Sequence, residues 1–203
     1  MRARALVVTL LLELVTGLGP SALMVPAGSA TSPRLTATIT FDKNWQDPQD
    51  SRLVWRVWRH DDQGRTVVET RSWRAGAGWT PRSTDACRRN LGWLPNGRYR
   101  PRLITDYWGS LIKGRAIQLG QKACDDGTIR SSLFIHTEQG ARSTQCPNRK
   151  GDQPCRWEFP KINDYRSHGC IKLSPQDMAA LFRAWRKHFA DGYDARVRVR
   201  VVG

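Results

Sequence analysis

Two short stretches of this chain carry residue types able to do covalent chemistry. "SSLFIHTE" places His136 at the end of an apolar run, and "YRSHGCIKLS" sets Ser167, His168, Gly169 and Cys170 in a row. A cysteine at its ordinary pKa is only about 3% thiolate at neutral pH, and the thiolate is the nucleophile. A nearby imidazole takes the thiol proton and leaves a thiolate–imidazolium pair. His168 lies two positions from Cys170, so in an extended segment both point to the same side and His168 flanks the thiol. His136, 32 positions before His168, comes from a separate strand and approaches from across a sheet, as a general base should. Gly169 permits a tight turn that would aim amides near Cys170 at a developing oxyanion.

The elements that must position these residues are mostly strands. "RLTATITF" is a short strand, and "SRLVWRVWRHDDQGRTVVETRSW" is a hairpin turning at "HDDQG". Leu53, Trp55 and Val57 alternate with Val54, Arg56 and Trp58, which predicts one buried face. A Pro-Asn-Gly turn leads into "RYRPRLITDYW", followed by strands at "RAIQLG" and "SSLFIHT". From Glu138 to Arg166 runs a long polar excursion with few strand signals, the kind of loop that is usually functional or disordered. Glu138 itself reads as a solvated loop residue. Directly after the Cys170 segment, Ser174 is placed as an N-cap, with Pro175 at the first helical position and Asp177 completing a capping pattern. Met178, Leu181, Phe182, Trp185 and Phe189 form one apolar helical face, with Gly192 as the stop. "ARVRVRVVG" alternates and closes the chain as a strand. His60, in the hairpin turn, and His188, on the late helix, read as bystanders. Most of the nine tryptophans are assigned to the core.

Five cysteines follow the N-terminal region: Cys87, Cys124, Cys146, Cys155 and Cys170. In an oxidising compartment four can pair, leaving one thiol. Cys146 and Cys155 bracket the polar stretch "PNRKGDQP", and closing that loop is worth roughly 3 kcal/mol in the chain-entropy model. Cys87 and Cys124 would then tie two polar loops together for roughly 4 kcal/mol. This pairing leaves Cys170, the cysteine beside a histidine, free. Sequence alone leaves the connectivity open, with Cys170 as a disulfide partner or an intermolecular bridge among the alternatives. A zinc site from Cys146, Cys155, His168 and Cys170 fits poorly, because C-x8-C and H-x-C depart from the usual ligand spacings. No metal and no cofactor are expected.

"FIHTE" followed by "SHGCIKL" resembles the L,D-transpeptidase catalytic domain (the YkuD type), and "LGWLPNGRY" is similar to the segment that precedes it there. The resemblance covers roughly residues 90 to 175. It implies a mainly β fold, a β-sandwich or barrel with one α-helix packed on it towards the C-terminus, and a cysteine acyltransferase acting on peptidoglycan stem peptides. By position Cys170 would be the nucleophile, His136 the proton acceptor and donor, and His168 an orienting residue. The Gly169–Cys170 backbone would form the oxyanion hole, and Ser167 and Lys172 would meet the substrate. Three positions depart from the family pattern. Thr137 replaces a glycine, the His136–His168 gap is about twice the usual, and Lys172 replaces arginine or asparagine. Lysine keeps the charge but loses the bidentate fork.

The first thirty residues carry Arg2 and Arg4, the apolar run "ALVVTLLLELVTGLG" and the small residues Gly28 and Ala30. They read as a signal peptide over 1–30 that leaves a single catalytic domain over 31–203; an uncleaved signal anchor is the alternative. The apolar run is too short to span a bilayer comfortably and no later run reaches that length, so the mature chain is expected to have no membrane span. A formal charge of +15 would hold an exported protein near polyanions. The arginines are spread along strands rather than gathered in an arm, which favours anionic cell-wall polymers over nucleic acid. A secreted or periplasmic monomer is expected. A basic wall-binding protein with an inactive site and a secreted cysteine peptidase are the competing functions.

Overall fold

The computed structural model describes residues 33–203; the segment read as a signal peptide lies outside them. Ten strands and one helix follow the order β1 (Arg34–Asp42), β2 (Ser51–Asp61), β3 (Gly64–Ala75), β4 (Gly97–Tyr99), β5 (Arg102–Trp108), β6 (Lys113–Ala123), β7 (Ile129–His136), β8 (Ile171–Lys172), α1 (Pro175–Arg186), β9 (Gly192–Tyr193) and β10 (Val197–Val202). They build two five-stranded sheets, ordered β3-β2-β1-β10-β4 and β8-β7-β6-β5-β9. The pairings are antiparallel except β1 with β10 and β7 with β8.

Period-two patterning builds the first sheet. Ile39 and Phe41, Leu53, Trp55 and Val57, and Val197, Val199 and Val201 are all buried, while Arg52, Arg56, Arg198 and Arg200 alternate with them in solvent. The second sheet turns Leu103, Ile117, Leu133 and Ile135 into the same cluster. Helix α1 completes it with Met178, Leu181, Phe182 and Trp185. Trp185 stacks on Trp55 with ring centroids 6.1 Å apart, and Phe189 meets Trp55 edge-on at 5.9 Å. Burying each such large side chain stabilises the fold by about 1.5–3 kcal/mol. Ser174 caps the helix by accepting the Asp177 N–H at 3.1 Å, as its position predicts.

Several sequence expectations need correction. The helix ends at Arg186 rather than at Gly192. Beyond Arg186 side-chain bonds hold the chain off the helical path: Trp185 Nε1 donates to the Ala190 carbonyl at 2.8 Å, and Asp191 binds Arg186 and, across the fold, Thr105. Gly192, with φ of +83°, opens β9 instead. His60 lies within β2, 2.9 Å from Thr36 Oγ1, and the hairpin turn is the two residues Asp62 and Gln63. Of the tryptophans only Trp55, Trp93 and Trp185 are fully buried, whereas Trp45, Trp79 and Trp108 are exposed. Among the described residues no helix is long and apolar enough to cross a membrane.

Candidate active site

Strands β7 and β8 run parallel, with Ile135 opposite Ile171 and His136 opposite Lys172. Facing residues of paired strands share a side of the sheet, and neighbours along a strand alternate. Ile135 and Ile171 therefore go into the core, where both are fully buried. His136, Lys172, Phe134 and Cys170 emerge on the other side, into a cleft of about 720 Å³. Trp79 and Tyr107 form part of its wall, as do the β5–β6 connection around Leu111 and Asp152 and Pro154 of the polar excursion.

Cys170 is the free cysteine; Cys87 is bonded to Cys124 and Cys146 to Cys155. Its thiol donates to the Ser132 carbonyl at 3.5 Å. Ser132 sits at φ +54°, an uncommon conformation for a non-glycine residue. Burial pushes the Cys170 thiol up to about 11; the Phe134 N–H, Lys172 and Arg130 pull in the opposite direction without prevailing. His136 is buried, and its Nδ1–H donates to the Thr137 carbonyl at 3.1 Å, which leaves Nε2 as the basic nitrogen. Burial and then the Lys172 charge hold its pKa down at about 3. Burial thus works against the preformed thiolate–imidazolium pair expected from sequence, raising the thiol and lowering the imidazole. They share the cleft without a hydrogen bond to each other, a looseness common in ligand-free sites.

Ser167 shapes the turn that carries Cys170. Its hydroxyl donates to the Cys170 carbonyl at 2.5 Å and accepts the N–H groups of Gly169 at 3.1 Å and Gly78 at 3.3 Å. One donor and two acceptor positions are then filled, so the hydroxyl has no capacity left for substrate. Engagement of the Gly169 N–H also removes one of the two amides expected to face an oxyanion. His168 is exposed and stacks on Trp79, with ring centroids 4.6 Å apart and planes at 12°. Arg166 lies 5.4 Å over the same tryptophan. The ring of His168 is therefore part of the cleft rim, while its carbonyl accepts from Arg130 at 3.0 Å. Lys172 is buried in an ion pair with Glu138, and is not free to meet a substrate carboxylate. Glu138, expected to be solvated, is buried as well; burial pushes it up to about 8 against the pull of Lys172.

Arg130 escaped the sequence reading, since one arginine at the start of an apolar strand gives no signal. It is 4% exposed, and its guanidinium donates to the carbonyls of Ala86, Gly92, Trp93 and His168. Cys87–Cys124 staples the loop that supplies the first three of these to the end of β6. Gly169 adopts φ of +122°, and a Cβ there would land on Arg130 Nη2. The glycine thus makes room for a caged cation beneath the Cys170 turn. Among the described residues no carboxylate pairs with this arginine, so its charge is not taken up by an ion pair there.

A free cysteine and a buried histidine share one cleft on a two-sheet β fold. The model of the L,D-transpeptidase catalytic domain, YkuD, matches residues 10–199, well beyond the stretch that carries the motifs, and the chain belongs to this family. No curated protein and no solved structure matches it.

Proposed function

We propose that this chain is an exported peptidoglycan L,D-transpeptidase with Cys170 as nucleophile and His136 as proton carrier. The observation that supports it most is the parallel β7–β8 register, which brings a free thiol and a basic imidazole nitrogen to one cleft. Cys170 Sγ attacks the carbonyl between a diamino residue and the terminal D-alanine of a stem tetrapeptide, and its proton passes to His136 Nε2. Because both groups start neutral, proton transfer accompanies the attack. The Cys170 N–H is the amide assigned to the oxyanion, and Arg130 supports the charge from below. The C–N bond breaks, the imidazolium protonates the departing amine, and a thioester remains. An amine from a neighbouring stem attacks the thioester, gives its proton to His136 and releases the thiol, forming the cross-link. Water in place of that amine gives a carboxypeptidase.

Intact mass spectrometry with a carbapenem tests the nucleophile. One covalent adduct on the wild type and none on Cys170→Ala is the expected result. D-Alanine release from a tetrapeptide stem by Cys170→Ala would overturn the assignment. A wall-binding protein with an inactive site would bind sacculi and give no adduct.

A further inference from the structure

Four carboxylates from distant positions converge beside the active-site cleft. Glu138, Asp152, Glu158 and Asp164 each place a carboxylate oxygen within 4.8 Å of one from every other member. Ligand atoms on opposite sides of a calcium ion, each about 2.3–2.6 Å from it, are separated by a comparable span. Glu138 is 7% and Asp164 2% exposed. One oxygen of each carboxylate is already engaged. Glu138 Oε1 is held by Lys172, Glu158 Oε1 accepts from Gln153 at 2.8 Å, and Asp164 Oδ2 accepts the N–H groups of Glu158 and Phe159. Asp152 Oδ2 lies 3.7 Å from Arg166. The other oxygens of Glu138, Glu158 and Asp164 are buried with no hydrogen-bond partner.

Buried carboxylate oxygens without partners are costly. Four carboxylates here face two cations, Lys172 and Arg166, and a divalent cation would supply the contacts that the unpartnered oxygens lack. The donors are all carboxylate oxygens on irregular chain, a set that suits a hard, geometrically tolerant ion rather than zinc or copper. We propose that Glu138, Asp152, Glu158 and Asp164 form a calcium-type cation site. The ion would pin the excursion after β7 at three points, one of them inside the Cys146–Cys155 loop, to a residue two positions beyond His136. Glu138 and Asp152 both line the cleft, so the ion would set the position of that wall. Cysteine and histidine spacing does not reveal such a site, because its members are separated by 14, 6 and 6 positions.

The test uses the full chain after chelation and dialysis, with calcium chloride as the probe. Terbium luminescence sensitised by Trp157, next to Glu158, reports occupancy independently of catalysis. The expected result is saturable terbium emission, displacement by Ca2+ with a dissociation constant of about 1 mM or tighter, and a rise in Tm with Ca2+. Asp152→Asn and Glu158→Gln should each weaken binding about tenfold or more, because affinity follows the ligand charge count. Asp152 is exposed, so its variant keeps the fold even where Asp164→Asn does not. Cys170→Ala should bind Ca2+ like the wild type, which separates this site from the proposed acyl transfer. Absence of both terbium emission and a Ca2+-dependent Tm shift, or binding that survives the Asp152→Asn/Glu158→Gln double variant, overturns the proposal.

Discussion

The state of Cys170 at rest sets the chemistry at the residue scale. With its pKa pushed up to about 11, the thiolate fraction rises tenfold per pH unit over the working range. Alkylation of Cys170 by iodoacetamide should accordingly climb without a plateau from pH 7 to 10. A plateau beginning near pH 6 would reveal the ion pair that burial argues against. Arg130 acts on the same sulfur. Arg130→Met should slow that alkylation at every pH and also lower Tm, because it strips donors from buried carbonyls at about 1–3 kcal/mol each. Arg130→Lys should recover part of the reactivity, since the charge persists, and less of the stability, since the fork is lost. Gly169→Ala combines a strained φ with a clash against that guanidinium. A stability loss well above 1 kcal/mol is expected by urea denaturation; an alanine tolerated there would mean that the turn relaxes freely.

At the scale of elements, helix α1 holds the cleft in place through the core behind it. Leu173, buried one residue beyond β8, donates its N–H to the His136 carbonyl at 3.0 Å, and Ser174 then starts the helix. The strand that follows Cys170 and the helix cap are thus one continuous piece of chain. Trp185→Ala should cost about 3–5 kcal/mol, read from the denaturation midpoint, while Ser174→Ala should cost about 1 kcal/mol. The disulfides act on separate elements. Cys87–Cys124 steadies the loop that cages Arg130, and Cys146–Cys155 closes part of the excursion that walls the cleft. Replacing the first pair by serine should alter thiol reactivity as well as stability. If only stability changes, the cage does not depend on its staple.

At the scale of the whole described chain, one acidic residue links regions far apart in sequence. Burial works to raise the pKa of Glu69, but hydrogen bonds from His188, Arg71 and Lys187 outweigh it and hold the carboxyl at about 2. The bonds to Lys187 and His188 tie β3 to the chain just beyond α1. A carboxyl depressed below its unfolded value contributes stability above the ordinary carboxylate range and loses it as pH falls towards 2. Glu69→Gln should therefore lower Tm at pH 7 and leave it nearly unchanged at pH 2. An equal loss at both pH values would mean that packing, not charge, is the contribution. His188, taken for a bystander, is a member of this cluster. The excess of arginine predicts salt-sensitive retention on anionic wall polymers, since exposed charges are screened within about 8–10 Å at physiological ionic strength.

The sequence by itself determined what depends on neighbours along the chain. The period-two strands, the capped helix with its apolar face and the "SHGC" turn were legible because their patterns are local. The sequence offered a pairing that leaves Cys170 free without settling it, and the structure has that pairing. Tertiary structure alone decided what depends on burial and on long-range approach. Arg130 beneath Gly169, the Lys172–Glu138 pair, the filled hydroxyl of Ser167 and the opposite pulls of burial on Cys170 and His136 all arise where strands and loops distant in sequence exclude water. The physical reason is that desolvation and pairing set the charge of a side chain, and neither is written in the residues beside it.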